Sequence, residues 1–343
     1  MISIEHGDNY IWNMELSPYD GPKLSDMFWD SHIIIEENQG GELYPQTFIS
    51  RVQEQEWIIV HDIYCRREDV TEEARNILNR IHEIDPMYDY ICTDDMGGIT
   101  GIKLHINKDM EIGQVYHSVS IAGDFILDLI DSIRLNKISR IACSYIYRKM
   151  PIYSRAMKQV KLELENYVSD NEANKDKVCD ICGRVKDIDS ICEKIKRKGI
   201  KQFDVFEKFD DIAGTRCTCE YLGDVYDMLE YIKNNPLFNV IKIEDKIEKP
   251  SEEGYRGIHI IVNTSVYYNG NLEEAKVEIQ LRTAFQNAWS MKTHSLTYKQ
   301  DMSKLGEISD TMRRLSDLLY DADKTSSEML HQKELMQNSE KQD

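Results

Sequence analysis

The sequence predicts an α/β fold of the α+β type, with a mixed β-sheet flanked by helices in the second half of the chain and a separate N-terminal α+β domain. Two patterns support the sheet and its helices. Residues 276–283 alternate between polar and apolar side chains, which is typical of a strand with one buried face. Residues 188–198 instead carry isoleucines three or four positions apart, which is the spacing of one buried helix stripe.

The same periodicities predict the other elements along the chain. The first half contains the strand Glu56–Cys65, the helix Thr71–Ile84 and two strands within Tyr88–Ile106. Helices follow from Ala122 to about Met150 and from Ser154 to Val168, with a break at Pro151, because proline lacks the N–H that a helix interior requires. The second half contains a strand leading to Gly183, the helix Ile188–Lys198, the strand Gly214–Cys219, the helix Leu222–Asn234, the strands Asn239–Glu244, Gly257–Thr264 and Lys276–Leu281, and the helices Ala284–His294 and Ser303–His331.

These elements group into four segments. They are an unassigned N-terminal α+β domain (1–120), a helical connector (121–170), an α/β domain (171–330) and a polar tail (331–343).

Composition narrows the class of protein. The 343 residues are 41% hydrophobic and 30% charged, and no apolar run approaches the length of a membrane span, so we expect a cytoplasmic protein with no membrane partner. The net charge of −19 argues against binding along a nucleic-acid backbone. Residues 184–201 reverse this balance, with seven Lys/Arg against three Asp/Glu. This local excess of positive charge indicates a polyphosphate site.

Two segments combine charge with a turn. In the first, Arg184 and Lys186 precede a helix that Asp187 or Asp189 caps, which favours an anion site. In the second, residues 210–216 (DDIAGTR) place a carboxylate beside a glycine, where Mg²⁺ can bind together with substrate phosphates. Taken singly, the first segment could also be a solvated helix face, and the second could be an ordinary turn without a bound ligand.

Two further segments add polar side chains. On the predicted strand 276–283, Glu278, Gln280 and Arg282 share the face opposite the apolar residues. Residues 254–259 (GYRGIH) contain two glycines, which let the backbone approach a ligand, and Tyr255, which offers a face for stacking on a base. Alternatively, residues 276–283 could be a half-exposed edge strand that binds no ligand.

In this order and spacing, the four segments resemble the synthetase domain of the RelA/SpoT family, and most of all the small alarmone synthetases. GRVK, DIAGTR, GYRGIH and VEIQLRT resemble that family's ATP-binding, magnesium, guanine-stacking and second acidic motifs. The block is closed by His294, Leu296, Tyr298 and Lys299. The resemblance covers about half the chain. It implies a nucleotidyltransferase-like fold that uses Mg²⁺ and ATP to make the stringent-response alarmone (p)ppGpp from GDP or GTP.

The resemblance also implies roles by position. Asp211 would bind Mg²⁺, and Glu278 would complete the metal site or act as the catalytic base. Arg184 and Arg216 would enclose adenine, and the ATP phosphates would be held by Lys186, Ser190, Lys194 and Lys198. Tyr255 would stack on guanine, and the acceptor would be held by Arg256, His259, Gln280, Arg282, Asn287 and His294.

The acceptor stays open at this point. The chain has Ser251 where the family commonly has lysine and Thr293 where it has glutamate. These departures leave room for the tRNA 3′-end, which toxin members of the family modify, although the overall acidity disfavours it. A non-catalytic nucleotide-binding regulator is the third interpretation, and the presence of both Asp211 and Glu278 argues against it. Homo-oligomerisation is also left open.

Overall fold

The computed structural model describes residues 2–6, 9–14, 33–39, 42–51, 57–60, 66–93, 95–96, 98–105, 125–297 and 306–340. The chain divides into two compact units, Met1–Ile146 and Tyr147–Asp343. Among the described residues, no helix has both the length and the apolar character needed to cross a membrane.

The first unit is built on a seven-stranded antiparallel sheet with the order β2-β1-β3-β4-β5-β7-β6. Its strands are β1 Ile2–His6, β2 Asn9–Met14, β3 Ile33–Gln39, β4 Glu42–Arg51, β5 Trp57–Val60, β6 Tyr88–Thr93 and β7 Ile99–His105. Its helices are α1 Glu72–Leu78, α2 Ile81–Ile84 and α3 over 125–134. Within this unit the side chains of Ala74, Ile81, Ile102 and Leu129 are fully buried. Residues 57–60 of the predicted strand Glu56–Cys65 form β5, and its residues 56 and 61–65 lie outside the described part of the chain.

The predicted helix break at Pro151 is wrong. Helix α4 runs unbroken from Arg140 to Ser169 with Pro151 inside it. The break falls earlier, where Asn136 adopts a left-handed backbone conformation (φ 52°) and ends α3. Ser139 then caps α4 by accepting a hydrogen bond from the N–H of Ala142 (3.2 Å). A proline removes one helical hydrogen bond, and buried apolar residues continue at helical spacing after it, which holds the helix together.

The second unit contains a five-stranded mixed sheet with the order β10-β11-β12-β9-β8. Its strands are β8 Val178–Val185, β9 Ala213–Cys219, β10 Asn239–Asp245, β11 Ile258–Tyr268 and β12 Asn271–Thr283. Within this sheet the β9–β12 pair is parallel, and the other neighbours are antiparallel. Helices flank the sheet: α5 Ile188–Lys198, α6 Val205–Lys208, α7 Leu222–Asn234, α8 Ala284–Thr297 and α9 Gly306–Glu340. The predicted mixed sheet flanked by helices is confirmed.

Helix α5 shows why these boundaries could be predicted. Asp187 is its N-cap and accepts a hydrogen bond from the N–H of Ser190 (2.7 Å). Gly199 ends the helix in a left-handed conformation (φ 61°), which glycine adopts without strain. Ile191 and Ile195 are buried, so the predicted apolar stripe faces the interior.

Candidate active site on one face of the mixed sheet

The register of four strands places the predicted polar residues on one face of the sheet. Arg184 on β8 lies opposite Gly214 on β9, which pairs with Glu278 on β12. Two residues further along, Arg216 pairs with Gln280, which in turn lies opposite His259 on β11. Because partners across a ladder share a face, these side chains project together. The opposite face carries the fully buried Val277, Ile279 and Leu281, as the alternation predicts.

Asp211 is held between two lysines at the start of β9. Its carboxylate oxygens accept hydrogen bonds from Lys186 Nζ and Lys194 Nζ, each at 2.5 Å. Burial alone would raise the pKa of Asp211, but the two lysines outweigh it and hold the pKa below its ordinary value. Burial lowers the pKa of Lys186, which Asp211 only partly offsets. Two cations therefore converge on one anion in a partly desolvated pocket.

Helix α5 carries the rest of the predicted ATP-binding set. Ser190, Lys194 and Lys198 recur every four residues, so they lie along one side of the helix. The Ser190 hydroxyl donates to Asp187 (2.9 Å), and Lys194 also lies 4.5 Å from the ring centroid of Phe209. Lys198 is exposed in the last turn, and Arg184 is exposed on β8.

Glu278 belongs to a closed ring of hydrogen bonds among five side chains, which we call the Glu278 ring. Glu278 Oε1 contacts His259 Nδ1 (2.9 Å), and Glu278 Oε2 accepts from Gln280 Nε2 (2.6 Å). The Tyr255 hydroxyl contacts His259 Nε2 (2.5 Å) and accepts from Arg282 Nε (3.1 Å). Arg282 Nη2 closes the ring by donating to Gln280 Oε1 (2.8 Å). Burial alone would raise the pKa of Glu278, but the hydrogen bonds from His259 and Gln280 keep the pKa below its ordinary value.

The loop before β11 fixes Tyr255. The Ser251 hydroxyl accepts from the N–H of Tyr255 (3.0 Å) and donates to Glu253 (2.9 Å). The Arg282 guanidinium lies 5.0 Å from the Tyr255 ring centroid, and Trp289 lies 6.3 Å away at a tilt of 58°. Ser251, one of the departures from the family pattern, thus positions the predicted stacking residue.

Arg216 connects the sheet to α8. Its Nη1 donates to Asn287 Oδ1 (3.2 Å). Its Nε is buried and has no hydrogen-bond partner among the described residues. A buried donor without a partner costs free energy, which a bound ligand atom would recover.

Arg256 and His294, which were also predicted to bind the acceptor, are not members of the Glu278 ring. Arg256 is buried against α9: it donates to the carbonyl of Ile247 and to Asp317 (2.9 Å), and its guanidinium lies 4.1 Å from the Tyr320 ring centroid. His294 is exposed in the second half of α8. The motif residues Tyr298 and Lys299 lie outside the described residues.

Some contacts at the site were not predicted from the sequence. Asp210, the other acid of the DDIAGTR segment, binds Lys276 (2.8 Å). The contacts of Lys186 and Lys194 are instead with Asp211. Helix α9 supports the loop before β11 (residues 246–257), which we call the acceptor loop, because Ser316 donates to the carbonyl of Gly254 (2.5 Å). Neither the Asp210 contact nor the Ser316 contact has a local sequence signal, since each joins residues more than 60 positions apart.

The donor set fits a magnesium ion held jointly with substrate. In the described part of the chain, no group of three or more His, Cys, Asp or Glu side chains could hold a metal by itself. Asp211 and Glu278 are near enough for the charge on Asp211 to raise the pKa of Glu278. Mg²⁺ is commonly bound by one or two carboxylates, with water and substrate phosphates completing its six oxygen ligands.

Comparisons with known proteins agree with this geometry. A family model described as the region found in RelA/SpoT proteins matches residues 183–303. GTP pyrophosphokinase YwaC of Bacillus subtilis (strain 168) is 30% identical over 139 residues, which cover 40% of this chain and 66% of that relative. GTP pyrophosphokinase YjbM of the same organism is 30% identical over 179 residues, which cover 52% of this chain and 84% of that relative.

Two solved structures are also similar to this chain. Small alarmone synthetase 1 from Bacillus subtilis, bound to its product pppGpp, is 28% identical with a TM-score of 0.51, covering 56% of this chain and 99% of that one. A GTP pyrophosphokinase family protein from Streptococcus pneumoniae is 26% identical with a TM-score of 0.50, covering 53% of this chain and 91% of that one.

Proposed function

The chain belongs to the RelA/SpoT family, and on that premise we propose that it is a GTP pyrophosphokinase. It transfers pyrophosphate from ATP to the ribose 3′-hydroxyl of GDP or GTP and makes (p)ppGpp. The named relatives and the pppGpp complex of the similar synthetase support this choice of substrate. A cytoplasmic location, where ATP and guanosine nucleotides are available, belongs to the same proposal.

One observation carries the proposal. Asp211, held by its two lysines just before β9, lies close enough to the Glu278 ring on the paired strand β12 for its charge to act on Glu278. A transferase needs a group that neutralises the donor phosphates and a group that takes the acceptor's proton. Both are present here, because the segment that contains Asp211 leads directly into the strand that pairs with β12.

The donor side follows from the charges. Lys186 and Lys194 would exchange their contacts with Asp211 for contacts with the ATP phosphates, which frees the Asp211 carboxylate to serve as a metal ligand. When bound there, Mg²⁺ neutralises charge on the phosphates. Arg184 and Arg216 lie at diagonal positions on the same face of β8 and β9, where two guanidinium planes can stack on adenine.

The acceptor side follows from the Glu278 ring. Because the pKa of Glu278 lies below its ordinary value, the carboxylate is ionised at neutral pH and can accept a proton. The 3′-oxygen of the acceptor forms a bond to the β-phosphorus of ATP, the bond from that phosphorus to the α,β-bridging oxygen breaks, and AMP leaves. The hydroxyl proton passes to Glu278. Tyr255 stacks on guanine, and His259, Gln280 and Asn287 hold the acceptor. We assign Arg256 a structural role because its partners all lie in α9 or the acceptor loop.

The test uses the purified full chain with Mg²⁺ and γ-labelled ATP, with GDP, GTP, ATP or bulk tRNA as the acceptor. Asp211→Asn should lower transfer by at least about 100-fold, because a metal ligand and the partner of both lysines is lost. Asp210→Asn is the matched control, since Asp210 is the adjacent acid but binds Lys276. We expect it to keep activity within about threefold of the wild type, because only a partly exposed ion pair is lost.

Label on GDP or GTP that is lost only in Asp211→Asn supports the proposal. Label found only on tRNA would overturn the choice of substrate while keeping the chemistry. Absence of transfer to every acceptor would overturn the enzymatic assignment.

A further inference from the structure

The Glu278 ring contains two routes of hydrogen bonds that start at one cation and end at one anion. The short route runs from Arg282 through Gln280 to Glu278. The long route runs from Arg282 through the Tyr255 hydroxyl and His259 to the same carboxylate. Binding of the acceptor requires only a face of the Tyr255 ring. It does not account for a phenol oxygen bonded to both Arg282 and His259.

The direction of each bond in the long route follows from what each group can donate. Arg282 has no acceptor atom, so its Nε–H donates to the Tyr255 oxygen. The Tyr255 hydroxyl can then donate its proton to His259 Nε2 when that nitrogen carries none. In that tautomer the ring proton of His259 is on Nδ1 and is donated to Glu278 Oε1. In this arrangement every contact of the ring joins one donor to one acceptor.

The ring is held in place by its surroundings. Arg282 is buried, with 5% of its surface exposed. Gly257 (φ 150°) lies against the ring, and a Cβ at that position would be 2.9 Å from the Tyr255 oxygen and 3.2 Å from Arg282 Cγ. The absence of a side chain at residue 257 thus leaves just enough room for the Tyr255 hydroxyl. Packing of this kind restricts Arg282 and the Tyr255 hydroxyl, which form the first part of the long route.

We propose that the Tyr255 hydroxyl and His259 are positioning residues for Glu278, in addition to the contacts they make with the acceptor. Tyr255 selects the His259 tautomer, and that tautomer fixes the orientation of the carboxylate that takes the acceptor's proton. The residue that stacks on guanine is thereby linked to the base through its own hydroxyl. This inference rests on the proposed function of Glu278 as the base.

The kinetic test separates stacking from positioning. Tyr255→Phe keeps the aromatic face and removes only the hydroxyl, so kcat should fall about 10- to 100-fold, the usual cost of losing an orienting partner, while KM for GDP changes less than about threefold. Tyr255→Ala should also raise KM for GDP, because the stacking face is lost. A kcat of Tyr255→Phe equal to that of the wild type would overturn the proposal.

Conservative variants at His259 give a matched pair. The amide N–H of His259→Asn takes the place of Nδ1–H and still donates to Glu278, whereas that of His259→Gln takes the place of Nε2 and does not. We expect Asn to retain most of kcat and Gln to behave like Ala. In the His259→Asn background, Tyr255→Phe should have no further effect, because the hydroxyl no longer has a partner at residue 259 through which it could act on Glu278. An equal effect of Tyr255→Phe in both backgrounds would contradict a link through His259.

A measurement that needs no activity keeps this inference distinct from the proposed function. The ¹⁵N shifts of the His259 ring in the ligand-free full chain, assigned with His259→Asn, should show the neutral tautomer protonated on Nδ1. Tyr255→Phe should alter the Nε2 resonance. A wild-type ring protonated on Nε2 alone would overturn the inference even if the chain makes (p)ppGpp. The expected tautomer in a chain without transferase activity would instead refute only the proposed function.

Discussion

We expect the second unit to lose stability as the pH rises, because Asp323 must then ionise at a buried position. Replacing Asp323 with asparagine should remove most of this loss. Asp323 lies in α9 with 2% of its surface exposed, and it accepts a hydrogen bond from the Thr283 hydroxyl (2.8 Å). Burial raises the pKa of Asp323 to about 6 from its ordinary value of 3.8, and the hydrogen bond from Thr283 offsets only part of that rise.

The sign follows from proton binding. Between pH 3.8 and pH 6 the folded state holds a proton that the unfolded state has already lost, so stability falls as the pH rises through this window. A shift of roughly two pKa units corresponds to about 3 kcal/mol in total. About 1.4 kcal/mol of it falls between pH 5 and pH 8, because only the last pKa unit lies above pH 5.

Trp289 provides a local probe of this unit. It is the only tryptophan of the chain after residue 57, it is buried in α8, and its Nε1 donates to the carbonyl of Met312 in α9 (2.8 Å). Urea unfolding is followed by Trp289 fluorescence at pH 5 and pH 8, with Trp12, Trp29 and Trp57 replaced by phenylalanine. The parent should lose about 1.4 kcal/mol more between these pH values than Asp323→Asn does. Equal losses in the two proteins would refute the argument that ionisation of Asp323 lowers the free energy of unfolding.

Two further outcomes follow from contacts around the site. Arg256→Met should lower the free energy of unfolding by about 1–3 kcal/mol, because it removes the hydrogen bonds to Ile247 and Asp317 and the contact with Tyr320, yet leave KM for GDP within about threefold. Chemical denaturation and steady-state kinetics check this, and a large rise in KM with unchanged stability would return Arg256 to the acceptor site. Gly257→Ala should lower kcat at least about 10-fold, since the new methyl group would displace the Tyr255 hydroxyl from the Glu278 ring. Circular dichroism establishes that the fold is retained, and full activity in a folded variant would show that the ring tolerates this displacement.

Local features of the second unit could be predicted from the sequence because their causes are local. The alternation in β12 needs only the two-residue period of a strand, and the ends of α5 need only Asp187 and Gly199. The set of candidate residues for the phosphate segment was predicted from charge, and the structure brings Lys186 and Lys194 together on Asp211.

Other features depend on tertiary contacts. Nothing in a local pattern shows that Pro151 lies inside a continuous helix, since packing decides whether one missing hydrogen bond breaks it. The GYRGIH motif also does not distinguish the roles of its own residues. Arg256 contacts α9, whereas Tyr255 belongs to the Glu278 ring. Within α3, Leu127 is 42% exposed while its neighbour Ile126 is buried. An apolar residue next to another cannot be assigned to a face without the partner surface.

The parallel pairing of β9 with β12 has a consequence during translation. Gly214 and Glu278 are ladder partners although 64 positions separate them, and α9 then reaches back to hold Gly254 and Thr283. Contacts this distant in sequence form late, because the intervening chain must first be synthesised and closed into a loop. A nascent chain that ends before residue 278 has the lysines that we propose bind phosphate but not the proposed base, and one that ends before residue 316 lacks the part of α9 that holds Gly254. Incomplete copies of this protein, such as those on stalled ribosomes, are therefore inactive until nearly the whole chain has emerged.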